Sequence, residues 1–141
     1  MILLALTTTF VLAGLSLLHV YWAAGGTVGF DSVIPTVDGR RTLDPSMFAS
    51  TVVATALAIA AAVVFASTGM FRSVAPTWLV RTGLLVLSLV FLARAIGDFR
   101  TVGFTKRIRA SKFARMDDLV FSPLCTCLAA ACGLLAVYGA S

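Results

Sequence analysis

The chain has 141 residues, of which 60% are hydrophobic and only 12% charged, with a mean hydropathy of +1.01. Soluble domains hold about 45–50% apolar and about 25% charged residues, so a soluble enzyme, a disulfide scaffold and a disordered chain are excluded. At about 20 apolar residues per crossing, the length suits a single domain, residues 1–141, built as an all-α bundle of four transmembrane helices.

The first span is predicted at about residues 2–24, because no Asp, Glu, Lys or Arg occurs between Met1 and Phe30. A secretory leader is the rival reading. Such leaders open on a basic stretch and hold only about 7–15 apolar residues, whereas no Lys or Arg precedes this run, so a retained span is expected. Gly25-Gly26-Thr27-Val28-Gly29 follows. Its backbone N–H groups suit a phosphate, but it neither follows a strand nor leads into Lys-Ser/Thr, and a flexible exit turn is the plainer reading.

The second span is predicted at about 46–68, opened by Asp44-Pro45-Ser46 and closed by Gly69. A capping side chain and a proline start a helix well, since the first turn cannot use the missing N–H. Ala54, Ala58, Ala62 and Ala66 recur at four-residue spacing, and Cys125, Ala129 and Gly133 do so in the fourth span. Small residues at this spacing let helices approach closely in lipid, within one bundle or between two copies of the chain. No internal repeat is visible at the level of residues.

A short connection, Met70 to Thr77, leads to a third span at about 78–97, with Arg81 and Arg94 one turn inside its two ends. Long basic side chains there can reach the headgroups. The loop from Asp98 to Asp118 carries Lys106, Arg107, Arg109, Lys112 and Arg115 interleaved with apolar residues, a pattern that suits anionic headgroups. The fourth span is predicted at about 119–140, with Asp117 and Asp118 placed to favour a helix N-terminus. Cys125, Cys127 and Cys132 all fall within it and read as small buried thiols, which argues against a quinone-linked thiol oxidoreductase.

Four spans leave both termini and the short connection on one side, and the loops Gly25 to Asp44 and Asp98 to Asp118 on the other. Arg40, Arg41, Arg94, Arg100, Lys106, Arg107, Arg109, Lys112 and Arg115 then lie on the long-loop side, against Arg72 and Arg81 opposite. That imbalance places the long loops in the cytoplasm and the termini in the periplasm of a bacterial inner membrane. The net charge of +5 is accounted for by topology and attraction to anionic lipid, and no nucleic-acid motif accompanies it.

Polar residues gather at that same end: His19, Tyr21 and Trp22 leaving span one, Arg94 and Asp98 leaving span three, and Asp117, Asp118, Ser122 and Pro123 at the start of span four. Arg94 and Asp98, four apart, can pair on one helix face. One reading makes them a structural lock. The other makes Arg94 an anion anchor with Asp98 as its orienter, since a guanidinium offers a planar fork of donors. His19 is the only histidine; it is either a hydrogen-bonded helix bridge or, with Asp98, a candidate for proton transfer. Trp22 and Tyr21 fit the aromatic belt of the membrane boundary. A lone histidine and the absence of zinc-type spacings give no metal site and no cofactor.

The segments His19-Val-Tyr-Trp22-Ala-Ala-Gly25-Gly26, Arg94-Ala-Ile-Gly97-Asp98-Phe99-Arg100-Thr-Val-Gly103-Phe104-Thr-Lys106, Phe113-Ala-Arg-Met-Asp117 and Ser122-Pro123-Leu-Cys125 resemble those of domain of unknown function 3995. This is a bacterial family of small four-span membrane proteins. The resemblance covers nearly the whole chain and implies the four-span fold. It implies no activity.

The residues therefore point to a protein that binds or processes an amphipathic, anionic ligand or lipid at the long-loop face. Arg94, Asp98, Arg100, Lys106 and Asp117 form its polar part, and Trp22 and Phe99 its apolar part. Any chemistry would be acid–base in kind, because no activated nucleophile stands out. A small transporter acting as a homodimer is one alternative, weakened by the lack of Asp or Glu inside any span. An accessory subunit docked on a larger membrane complex is the other.

Overall fold

The computed structural model describes residues 1–29, 36–37, 40–41, 46–70, 75–100, 102–107 and 112–139. The uncharged N-terminal run forms one helix, α1 (Ile2–Ala23). A two-residue antiparallel pairing, β1 (Thr36–Val37) with β2 (Arg40–Arg41), lies in the loop that follows. The second span is α2 (Met47–Ala66), and Ser46 caps it by accepting from the Ala49 N–H at 3.1 Å. Asp44 and Pro45 lie outside the described residues. The third span is α3 (Thr77–Ile96).

The fourth span differs from expectation. Helical structure begins as α4 (Lys112–Met116), passes through a π turn (Asp117–Phe121) and continues as α5 (Ser122–Tyr138). Asp117 and Asp118 therefore do not stand at a helix start. The preceding turn already uses the N–H groups that a cap would satisfy.

All four membrane-length segments are strongly apolar, and the protein is an all-helical membrane protein. Helix α1 packs along α2, and α3 along α5. The core between them is thin: Leu12, Val64, Leu84, Cys132 and Leu135 are fully buried, joined by Ala5, Ala60, Ala61 and Ala136. Phe10, Leu17, Phe48, Trp78, Leu89 and Leu119 remain exposed on the outside, as lipid-facing side chains do.

The two hairpins repeat one another. Ser16 Oγ donates across α1–α2 to the Ala54 carbonyl at 2.8 Å, and Ser88 Oγ donates across α3–α5 to the Ala129 carbonyl at 2.8 Å. Each serine stands in a Leu-x-x-Leu-Ser-Leu segment, residues 12–17 and 84–89, whose first leucine is completely buried. Each is followed by a positive-φ glycine at the same distance, Gly25 and Gly97. The shared segment is too short, among helices rich in leucine, to stand out as a repeat until the hydrogen bonds align it. The shared hydrogen bond supplies the register.

The alanine stripe of α2 is not one contact surface. Ala54 is buried, Ala58 and Ala62 are exposed, and Ala66 is half-buried. A residue at every fourth position drifts about 40° per step around a helix of 3.6 residues per turn, so the stripe winds out of the interface. The face that does pack follows Ser50, Ala54, Ala60, Ala61 and Val64. On α5 the small residues do serve the chain's own packing: Ala129 is buried, and a Cβ on Gly133 would lie 3.3 Å from Ser88 Oγ.

Candidate functional site

Antiparallel packing brings the end of α1, the start of α2, the end of α3 and the π turn to one end of the bundle. Helix α3 stops at Gly97 (φ 93°), and the chain folds back over its own helix end. The Phe104 N–H donates to the Ala95 carbonyl (2.9 Å), and Thr105 donates to the Ile96 carbonyl through its N–H (3.2 Å) and Oγ1 (2.6 Å). These bonds satisfy carbonyls that a helix terminus leaves unpaired. The crossing demands glycine twice: a Cβ on Gly97 would fall 1.7 Å from the Val102 oxygen, and one on Gly103 2.5 Å from the Gly97 Cα. Asp98 Oδ1 accepts from the Arg100 N–H (2.9 Å) and the Val102 N–H (2.8 Å), and Phe99 takes a left-handed φ of 61° beside it.

This loop delivers Lys106 into the bundle. Its side chain is completely buried, and Nζ donates to the Gly103 carbonyl (3.0 Å), to Asp117 Oδ2 (3.0 Å) and to Asp118 Oδ1. Three donors meet three acceptors, so the ammonium is saturated. Asp117, also completely buried, accepts in addition from the Gly103 N–H at 2.7 Å and from Arg94 Nη2 at 3.0 Å. Among the described residues, two cations and two carboxylates meet here and join α3, its exit loop and the π turn.

The π turn places the carboxylates there. Pro123 has no N–H, and its ring crowds the carbonyl four residues back, so a regular helix cannot run through it unaltered. The wider turn accommodates this: the Ser122 N–H donates to the Asp117 carbonyl, five residues back. Ser122 consequently sits one π turn beyond Asp117 along the inner side of the segment. Phe113 and Phe121 flank the turn with ring centroids 6.2 Å apart.

The sequence-derived residues separate into two groups. Arg94, Lys106 and Asp117 meet in the cluster. Arg94 pairs with Asp117 and not with Asp98, because the helix ends at Ile96 and Asp98 lies beyond it, holding loop backbone. Phe99 and Arg100 are exposed on the loop. His19 and Trp22 form a unit of their own. Their rings meet edge to face at 5.0 Å, His19 Nδ1 lies 2.8 Å from the Leu15 carbonyl, and Trp22 Nε1 donates to the Val28 carbonyl at 3.0 Å. Thus Gly25–Gly29 folds back on Tyr21 and Trp22, and the Val28 N–H donates to Tyr21 Oη at 3.4 Å. Among the described residues no hydrogen bond or ring contact joins His19 to Arg94 or Asp98. No group of three or more metal-ligating side chains occurs among them either. The basic run is described only in part, since residues 108–111 lie outside the described residues. Of the cysteines, Cys132 is buried and Cys125 half-buried, but Cys127 is exposed, so the buried-thiol expectation fails there.

Two buried polar atoms of this end have no hydrogen-bond partner among the described residues: Arg94 Nη1 and Ser122 Oγ. Ser122 is completely buried. Sequence reasoning placed Ser122 at this end without giving it a role, and it missed Gly103. The crossing glycines Gly97 and Gly103 were the available signal.

A family model described as a protein of unknown function, DUF3995, matches residues 12–132. The chain belongs to the DUF3995 family. The match spans all the elements described above except the two ends of the chain. No curated protein and no solved structure matches the chain.

Proposed function

We propose that this DUF3995 protein binds an amphipathic, anionic molecule at the long-loop end of the bundle, with Arg94 as the anchor. One observation carries the reading: the guanidinium is divided, one arm fixed on Asp117 and the other buried without a partner. A buried donor left unmade costs about 1–3 kcal/mol, more when charged, so such an arm is a place for an acceptor. Lys106 and Asp117 then act as positioning residues, since both are held by each other and by Gly103, Lys106 also by Asp118 and Asp117 also by Arg94. The exposed Phe99 and Arg100 rim, and Trp22 on the neighbouring helix end, offer contacts to a chain or headgroup arriving from the membrane. No chemical step is assigned to His19 or Asp98, whose side chains hold local backbone.

The excess of Lys and Arg in the long loops supports a cytoplasmic orientation of this end in a bacterial inner membrane, facing the more anionic leaflet. Native mass spectrometry of the protein extracted with its own lipids tests the binding reading. A specific anionic molecule should be retained by the wild type and lost on Arg94→Lys, which keeps a charge for Asp117 but not the second arm. A protein carrying only bulk lipid, unchanged by the substitution, overturns it.

A further inference from the structure

Helix α3 has 20 residues, and at about 1.5 Å per residue it spans about 30 Å, the thickness of the hydrocarbon. Its exit loop therefore emerges at the level of the lipid headgroups. That loop is ordered by the chain itself. Phe104 and Thr105 hold the last carbonyls of α3, Asp98 Oδ1 holds the N–H groups of Arg100 and Val102, and the buried Lys106 fixes the far end. Across the loop the Arg107 N–H donates to the Arg100 carbonyl at 3.2 Å, which makes two cationic residues neighbours on one fixed piece of backbone. Both are exposed, as are Lys112 and Arg115 on α4, and none of the four enters an ion pair among the described residues.

Exposed cations occur on many surfaces, but the residue beside Arg100 narrows their use. Phe99 holds a left-handed φ of 61°, which a bulky side chain adopts only at a cost, and it is 62% exposed. Among the described residues its ring stacks on no other ring. Phe104, on the same loop, is also exposed. Apolar rings next to cations suit the boundary between acyl chains and headgroups, where Arg meets phosphate oxygens through its fork of donors. Because the backbone is already fixed, little ordering is left to oppose binding.

We infer that this exit loop is a docking surface for an anionic phospholipid of the adjoining leaflet, with Arg100 and Arg107 on the phosphate and Phe99 among the upper acyl chains. It shares the Phe99–Arg100 rim with the binding reading above but does not use Arg94, so either can fail alone. Delipidated protein in mild detergent is titrated with phosphatidylglycerol, with phosphatidylethanolamine of the same chains and with glycerol phosphate, reading retained mass and unfolding temperature. Phosphatidylglycerol should be retained in preference to phosphatidylethanolamine, whose ammonium the arginines repel. A cation near an anionic surface contributes about fivefold, so Arg100→Gln combined with Arg107→Gln should weaken retention about 25-fold. Gln keeps the backbone bonds, and without lipid this variant should unfold with the wild type. Phe99→Asn should also unfold with the wild type, since Asn accepts a left-handed φ, yet hold phosphatidylglycerol more weakly. Undiminished retention in the Arg100/Arg107 variant, or equal retention of phosphatidylethanolamine, overturns the inference. Early unfolding of lipid-free Phe99→Asn overturns it too, by giving the ring to the fold. Loss of phosphatidylglycerol in Arg94→Lys but not in the Arg100/Arg107 variant overturns it in favour of the Arg94 reading. Equal stabilisation by glycerol phosphate overturns the lipid assignment in favour of a soluble phosphate. A wild type that retains no phosphatidylglycerol overturns the inference whatever Arg94 binds.

Discussion

Replacing Lys106 by Met removes the ammonium and keeps most of the volume of a side chain that is fully buried. The consequence is concentrated on Asp117. Its carboxylate has no exposure to solvent, and it loses one of the two cations that compensate its charge, retaining Arg94 and the Gly103 N–H. Breaking a buried ion pair by removing one partner costs about 3–5 kcal/mol, because the surviving charge is stranded in a medium that solvates it poorly. Asp118 adds little, since its side chain is one-third exposed and can rehydrate. The retained partners of Asp117 place Lys106→Met near the lower end, at about 3 kcal/mol, a large share of the 5–15 kcal/mol that holds a typical protein together. Adding Asp117→Asn removes the stranded charge while keeping an acceptor for Arg94, so the double variant should recover most of the loss. Reversible unfolding in mixed micelles, run as a double-mutant cycle, measures both quantities. A loss below about 1 kcal/mol for Lys106→Met, or no recovery in the double variant, would refute the view that this cluster is dry and coupled.

The duplicated interhelical bonds should behave alike: Ser16→Ala and Ser88→Ala should each cost about 0.6 kcal/mol and at most about 1.7, and should add in the double variant, as unfolding in micelles would show. Gly97→Ala should be more severe than Gly25→Ala, although both glycines have positive φ. A Cβ at Gly97 meets the Val102 oxygen, whereas nothing lies within 4 Å at Gly25; equal losses of folded yield would count against the loop crossing. Gly83→Ala should weaken the contact between α2 and α3, where the new Cβ would stand 2.9 Å from Val63 Cγ1, and Val63→Ala should rescue it. For the proposed orientation, a cysteine placed at the exposed Thr27 should resist a membrane-impermeant maleimide on intact cells and react after lysis. Prompt labelling of intact cells would invert the topology.

The number and type of the helices were legible because hydrocarbon imposes a coarse rule: uncharged runs of about 20 residues must be helical to satisfy their backbone. The site was legible only in outline. Arg94, Lys106 and Asp117 stood out as charges close to apolar runs, but their pairing did not. Four-residue spacing offered Asp98 as the partner of Arg94, and only the break at Gly97 excludes it. The π turn was hidden for a similar reason. Two adjacent aspartates before an apolar run look like helix-start residues, and the helical turn that precedes them, Lys112–Met116, is too polar to read as part of a span. Small-residue spacing proved equally ambiguous, serving packing at Ala129 and Gly133 but turning outward at Ala58 and Ala62.

The internal repeat makes the location of the cluster informative. In both hairpins a serine bridges to an alanine carbonyl of the facing helix, and a positive-φ glycine stands nine residues beyond that serine. Beyond those glycines they part. In the first hairpin the exit turn closes on Tyr21 and Trp22 through bonds to Val28, with no charge among these residues. In the second, Arg94 occupies the position equivalent to Trp22, and the exit loop closes on Asp117 through Lys106 and Gly103. Packing alone does not require this difference, since a buried ion pair is often replaceable by apolar residues at no loss of stability, and no buried ion pair occurs among the described residues of the first hairpin. Among the described residues, the polar, proline-interrupted closure belongs to the second half, and there the scaffold departs from the demands of folding. That departure leaves Arg94 Nη1 and Ser122 Oγ without hydrogen-bond partners, and it is the physical ground for the proposal that this end is the binding site.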